Sequence, residues 1–88
     1  MAKVIVRILN DTGLHARPAA EFVKVASRFK SSILVSKNDR QVNGKSIMGV
    51  ITLAAEKDSE LTIEAKGEDA EQALQALARL VNNHFNEA

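Results

Sequence analysis

A two-layer α+β fold, with helices on one face of a sheet and solvent on the other, follows from three features of the sequence. Short segments with apolar residues at every second position are interleaved with segments whose apolar residues recur three and four apart. The strand-like segments are apolar on one side only, the pattern of a sheet that buries one face. Two long helix-like segments each carry a single apolar stripe, and both stripes need a sheet face to cover. The order read along the chain is β-α-β-β-α-β-α.

Each element has its own signal. Val4, Val6 and Ile8 alternate with Ile5 and Arg7 and predict a first strand. Asn10-Asp11-Thr12-Gly13 is a turn cluster that ends it. From Ala16 the stripe Ala19, Phe22, Val23, Ala26 and Phe29 predicts an amphipathic helix. Ile33 and Val35 restart a period of two, and Asn38-Asp39 is the turn of a hairpin into a short strand around Val42. Ser46 stands as N-cap before Ile47-Met48-Gly49-Val50-Ile51, a short helix that Gly49 weakens by up to ~1 kcal/mol relative to alanine. Leu61, Ile63 and Ala65 alternate with Glu60, Thr62, Glu64 and Lys66 as a one-sided strand. Asp69, with Gln72 three residues on, predicts a capping box that starts the last helix. Its stripe is Ala70, Ala73, Leu74, Leu77, Val81 and Phe85.

Length and composition narrow the class. The 88 residues fit one domain, 1–88, with no linker, repeat or low-complexity tract. There is no cysteine, which removes disulfide staples, thiolate metal sites and a thiol nucleophile together. Lys3 and Arg7 interrupt the first apolar run, and no stretch approaches the roughly 20 apolar residues of a membrane helix. A cytoplasmic protein with no membrane contact is expected. The net charge of +1 argues against nucleic-acid binding through bulk electrostatics. Charge placement is more telling. His15, Arg17, Lys24, Arg28 and Lys30 face only Glu21 between residues 14 and 30, whereas Asp58, Glu60, Glu64, Glu68, Asp69 and Glu71 gather later. Two solvated faces explain this as well as a basic docking surface does.

The strongest local feature is Thr12-Gly13-Leu14-His15-Ala16-Arg17-Pro18, an imidazole at the junction of a loop and a helix. The start of a helix leaves about four amide N–H groups without partners, and its dipole there is equivalent to about half a positive charge. Such an end suits an anion. A phosphoryl group on His15 would find the amides of Ala16 and Arg17 as donors. The planar donors of Arg17 suit the transferring charge. Pro18 lacks an N–H where the first turn has no use for one. Taken alone, His15 reads as a plain helix cap and Arg17 as a solvated side chain.

A second segment changes that balance. Lys45-Ser46-Ile47-Met48-Gly49-Val50, taken with Gly13-Leu14-His15-Ala16-Arg17-Pro18-Ala19-Ala20, resembles the HPr family, the histidine-containing phosphocarriers of the bacterial sugar phosphotransferase system. The resemblance runs over essentially the whole chain. It implies a four-stranded antiparallel sheet covered on one face by three helices. It also implies that enzyme I phosphorylates His15 on Nδ1, with Arg17 as partner, and that IIA domains receive the group. Ser46 matches the serine phosphorylated by HPr kinase/phosphorylase. The expected contact surface is Ala20 and Lys24 on the first helix with Ile47, Met48 and Ile51 on the short one. The protein is then a monomeric carrier rather than an enzyme, without cofactor or metal. The ending Val81-Asn82-Asn83-His84-Phe85-Asn86 also resembles nitrogen-branch relatives, so a nitrogen-branch or purely regulatory paralogue is the alternative.

Other signals fall away. Asn43-Gly44-Lys45-Ser46 mimics the tail of a P-loop, but Asp39 stands where its first glycine belongs. Asn10-Asp11-Thr12 is a glycosylation sequon that matters only in a secreted protein. His84 reads as a cation that complements the end of the last helix. His15 and His84 lack the further ligands of a metal site. A single-strand nucleic-acid module wants aromatics on an exposed sheet, and here Phe22 and Phe29 lie on a helix stripe. A small hydrolase of acyl phosphates would need an activated water, whereas the available group is a nucleophilic imidazole.

Overall fold

The computed structural model describes residues 2–86. Its elements are β1 (Ala2–Arg7), α1 (Ala16–Ala26), β2 (Ser32–Lys37), β3 (Arg40–Asn43), α2 (Ile47–Thr52), β4 (Glu60–Lys66) and α3 (Ala70–Asn82), followed by a 3-10 turn at His84–Asn86. The four strands form one sheet in the order β1-β4-β2-β3, antiparallel at each pairing. The expected order and architecture are what the chain adopts. β4, the last strand in sequence, fills the gap that the β1–α1–β2 connection leaves open.

Register explains why one face is dry. Val4 pairs with Ile63, Ile63 with Val35, and Val35 with Val42, so one apolar row crosses all four strands. A step of one residue reaches the other face, where Lys3, Ile5, Arg7, Glu60, Ser32 and Leu34 are exposed. α3 lies over β1 and β4, α1 packs beside α3, and α2 bridges α1 and β3. Phe22, Leu77, Val81 and Phe85 close the core against Ile33, Leu61 and Ile63. Among the described residues no helix is long and apolar enough to cross a membrane.

Three local expectations are corrected. α1 stops at Ala26, because Arg28 N and Phe29 N turn to the carbonyls of Val25 and Ala26, three residues back, and tighten the chain out of the helix. Phe29 is half-buried beyond the helix, and Val25 takes the buried place expected for Val23. Asp69 occupies the N-cap position of α3 but makes no side-chain cap bond, so the expected box with Gln72 does not form. Its carboxylate accepts instead from Lys30 N, Ser31 N and the Ser31 hydroxyl, across to the segment before β2. α3 ends at Asn82, so His84 and Phe85 lie past the helix, and a left-handed turn (φ 55° at both) folds Phe85 back into the core.

Candidate functional site

The loop ahead of α1 is held from three sides. Asn10 is buried, and its Nδ2 donates to Gly13 O at 2.8 Å and Thr12 Oγ1 at 3.1 Å. Gly13 N donates to Asn10 O at 3.1 Å, closing the turn. Gly13 takes φ +69°, and a Cβ there would lie 2.7 Å from Ala55 O, so only glycine fits. Leu14 is buried, and its N–H donates to that same Ala55 carbonyl at 2.8 Å. Lys57 Nζ reaches Asp11 Oδ1 at 2.7 Å across solvent. This hydrogen bond holds the Asp11 carboxyl below its ordinary range, and the nearby His84 ring adds a smaller push in the same direction.

His15 follows Leu14 directly, at the N-cap of α1, with extended backbone (φ −100°, ψ −164°) and an exposed side chain that caps no amide of the helix. The first bond of the helix runs from Ala19 N to His15 O at 2.9 Å. The amides of Ala16 and Arg17 precede that bond at the positive end of the helix dipole. Pro18 and Ala19 are buried, while Ala16, Arg17, Ala20 and Lys24 are exposed. Arg17, Ala20 and Lys24 lie three, four and seven apart, along one solvent-facing stripe that starts beside His15.

The Ser46 region forms as the sequence predicts. Ser46 Oγ accepts from Gly49 N at 3.1 Å, and Ser46 O accepts from Val50 N at 2.9 Å. Val50 is buried, Ile51 half-buried, and Ile47 and Met48 stand in solvent at 44% and 70% exposure, an apolar surface left uncovered. α2 packs on α1, the helix that carries the stripe of Arg17, Ala20 and Lys24. Gly49 also has a packing role. A Cβ there would meet Ser46 Oγ at 3.3 Å and Val42 Cβ at 3.4 Å, a tight fit against the cap and β3. Lys45, beside Ser46, points elsewhere: its Nζ donates to Phe29 O at 2.7 Å. No spacing in the sequence signals that bond, which spans two loops.

Comparison with known proteins decides what this arrangement belongs to. Residues 2–83 match the family PTS-HPr, described as the PTS HPr component phosphorylation site. The chain belongs to the HPr family. It is 47% identical over 87 residues to phosphocarrier protein HPr of Neisseria meningitidis serogroup A, covering 99% of this chain and 98% of the relative. The crystal structure of HPr from Thermoanaerobacter tengcongensis superposes with a TM-score of 0.95 at 45% identity, covering 100% of this chain and 99% of that one. Crh of Bacillus subtilis, described as a domain-swapped dimer, superposes with a TM-score of 0.77 at 44% identity, covering 96% and 97%. HPr proteins are phosphocarriers of the phosphotransferase system and not enzymes.

Proposed function

We propose that this HPr-family chain accepts a phosphoryl group from phosphorylated enzyme I on Nδ1 of His15 and passes it to IIA domains of sugar uptake systems. The observation that carries this reading is the exposed imidazole at the head of α1, followed at once by the amides of Ala16 and Arg17 and the Arg17 side chain. In the transfer, the Nδ1 lone pair forms the bond to phosphorus as the bond to the donor breaks and its electron pair leaves with the donor. Charge spreads over the three equatorial oxygens. The two amides and the Arg17 guanidinium stabilise that charge, and the anchored Leu14 keeps the ring in place. The phosphoryl group leaves to a IIA domain by the same step in reverse.

Docking uses the basic and small residues Arg17, Ala20 and Lys24 with the apolar Ile47, Met48 and Ile51. Phosphorylation of Ser46 by HPr kinase/phosphorylase would place about −1.5 to −2 charges beside that apolar surface. Its effect falls on docking to an acidic partner more than on the fold. Incubation with phosphorylated enzyme I tests the reading. The chain should retain acid-labile, base-stable phosphate, and His15→Ala should retain none while keeping its fold. A His15→Ala protein that still takes up phosphate from enzyme I would refute it.

A further inference from the structure

The β2–β3 hairpin carries an arrangement that its own stability does not explain. Lys37 and Arg40 are directly opposed across the Asn38-Asp39 turn. Like charges placed in this way destabilise a strand pair. Both cations turn toward the end of α2. Arg40 Nη1 donates to Thr52 O at 2.7 Å, and Lys37 Nζ donates to Ala54 O at 3.2 Å.

The segment they hold is costly in itself. Ala54 within it has φ 51°, a left-handed conformation that disfavours side chains. The residue after Ala54 is Ala55, whose carbonyl receives Leu14 N and closes over Gly13. A continuous path of hydrogen bonds and backbone therefore runs from the hairpin cations, through Thr52–Ala55, to the residue preceding His15.

We propose that Lys37 and Arg40 are positioning residues for phosphoryl transfer, clamping the Thr52–Ala55 turn so that Ala55 holds the loop that presents His15. The proposal rests on His15 as acceptor. Neither cation touches the phosphoryl group. Their effect is to keep the Ala55–Leu14 bond closed, so that the imidazole is presented in one orientation. Helix-end capping alone would predict fraying of α2 without any effect at Leu14.

The test uses Arg40→Met, the double variant Lys37→Met/Arg40→Met, and Arg40→Lys as the conservative control. Amide hydrogen exchange at Leu14 reads the clamp without any partner, and exchange at Ile63 in β4 reads global opening. Leu14 exchange should quicken about three- to tenfold in Arg40→Met, and further in the double variant, with Ile63 changing less. The maximal rate of phosphoryl acceptance from enzyme I should fall in parallel at unchanged KM, and Arg40→Lys should recover most of both. Leu14 exchange that stays unchanged, or rises only as much as Ile63, would overturn the clamp. So would a change confined to KM, which marks a docking contact, or faster Leu14 exchange with normal transfer. Phosphate uptake by His15→Ala would count against the acceptor assignment, and the Leu14 exchange result would still stand by itself.

Discussion

Ser46 and Asp69 occupy the same position, the N-cap of a helix, and do different work. Ser46 bonds within its own helix, Oγ to Gly49 N, and that helix is six residues long. The Asp69 carboxylate gives no bond to α3 and instead accepts three from Lys30 and Ser31, more than thirty residues away. A short helix with one buried residue needs its cap. A longer helix with five buried residues is held by packing, which leaves its cap residue available to join two segments. An N-cap residue type therefore marks where a helix starts more reliably than it tells where the side chain bonds. His15 is the third case. It holds the same position, makes no side-chain cap bond to its helix, and has an exposed side chain.

The largest expected effect on folding is at Asp69. Asp69→Ala would strand two backbone donors and the hydroxyl of Ser31, a residue only 1% exposed, and should lower the melting midpoint more than Ser46→Ala does. The Ser31 hydroxyl, with the Lys30 and Ser31 amides, holds the Asp69 carboxyl at about 2, against an ordinary 3.8. A depressed folded-state value means that this contribution is complete above about pH 4 and is lost as pH falls toward 2. Thermal melts from pH 5 to 2 should therefore show a decline that is shallower in Asp69→Asn. Parallel curves for the two proteins would break the contrast with Ser46.

Ser46→Ala should cost about 1 kcal/mol, the usual loss for a serine N-cap. Chemical denaturation measures it, and a loss near zero would mean that α2 is held by Val50 alone. Arg17→Lys should leave the midpoint unchanged, since the side chain lies off the buried face, yet slow phosphoryl acceptance by removing planar paired donation. Normal kinetics in that variant would take Arg17 out of the transfer step.

The fold was legible because its signals are local and repeated. The Leu61, Ile63, Ala65 alternation and the Ala73, Leu74, Leu77, Val81 stripe each point to one buried face. The Ser46 cap was legible for the same reason, as its partner is three residues away. What escaped the sequence is bonding between distant segments. Asp69 to Ser31, Lys45 to Phe29, and Arg40 to Thr52 depend on which loops the sheet order brings together. The end of α1 was misplaced because Phe29 keeps the helical spacing while the backbone has already tightened into a turn. At the His15 loop, the sequence pointed to the imidazole and to Arg17. It did not reveal that Gly13 and Leu14 both close on the carbonyl of Ala55.

Nδ1 of His15 is the atom expected to carry the phosphoryl group, and its phosphorylation can be read directly. The chain, labelled with 15N on its two histidines, should be phosphorylated by enzyme I and observed by 31P and 15N NMR. One phosphorus signal coupled to Nδ1 of His15 is expected, with the His84 resonances keeping their unphosphorylated pattern. Phosphorus coupled to His84, or attached to a hydroxyl oxygen such as that of Ser46 with His15 unchanged, would contradict it.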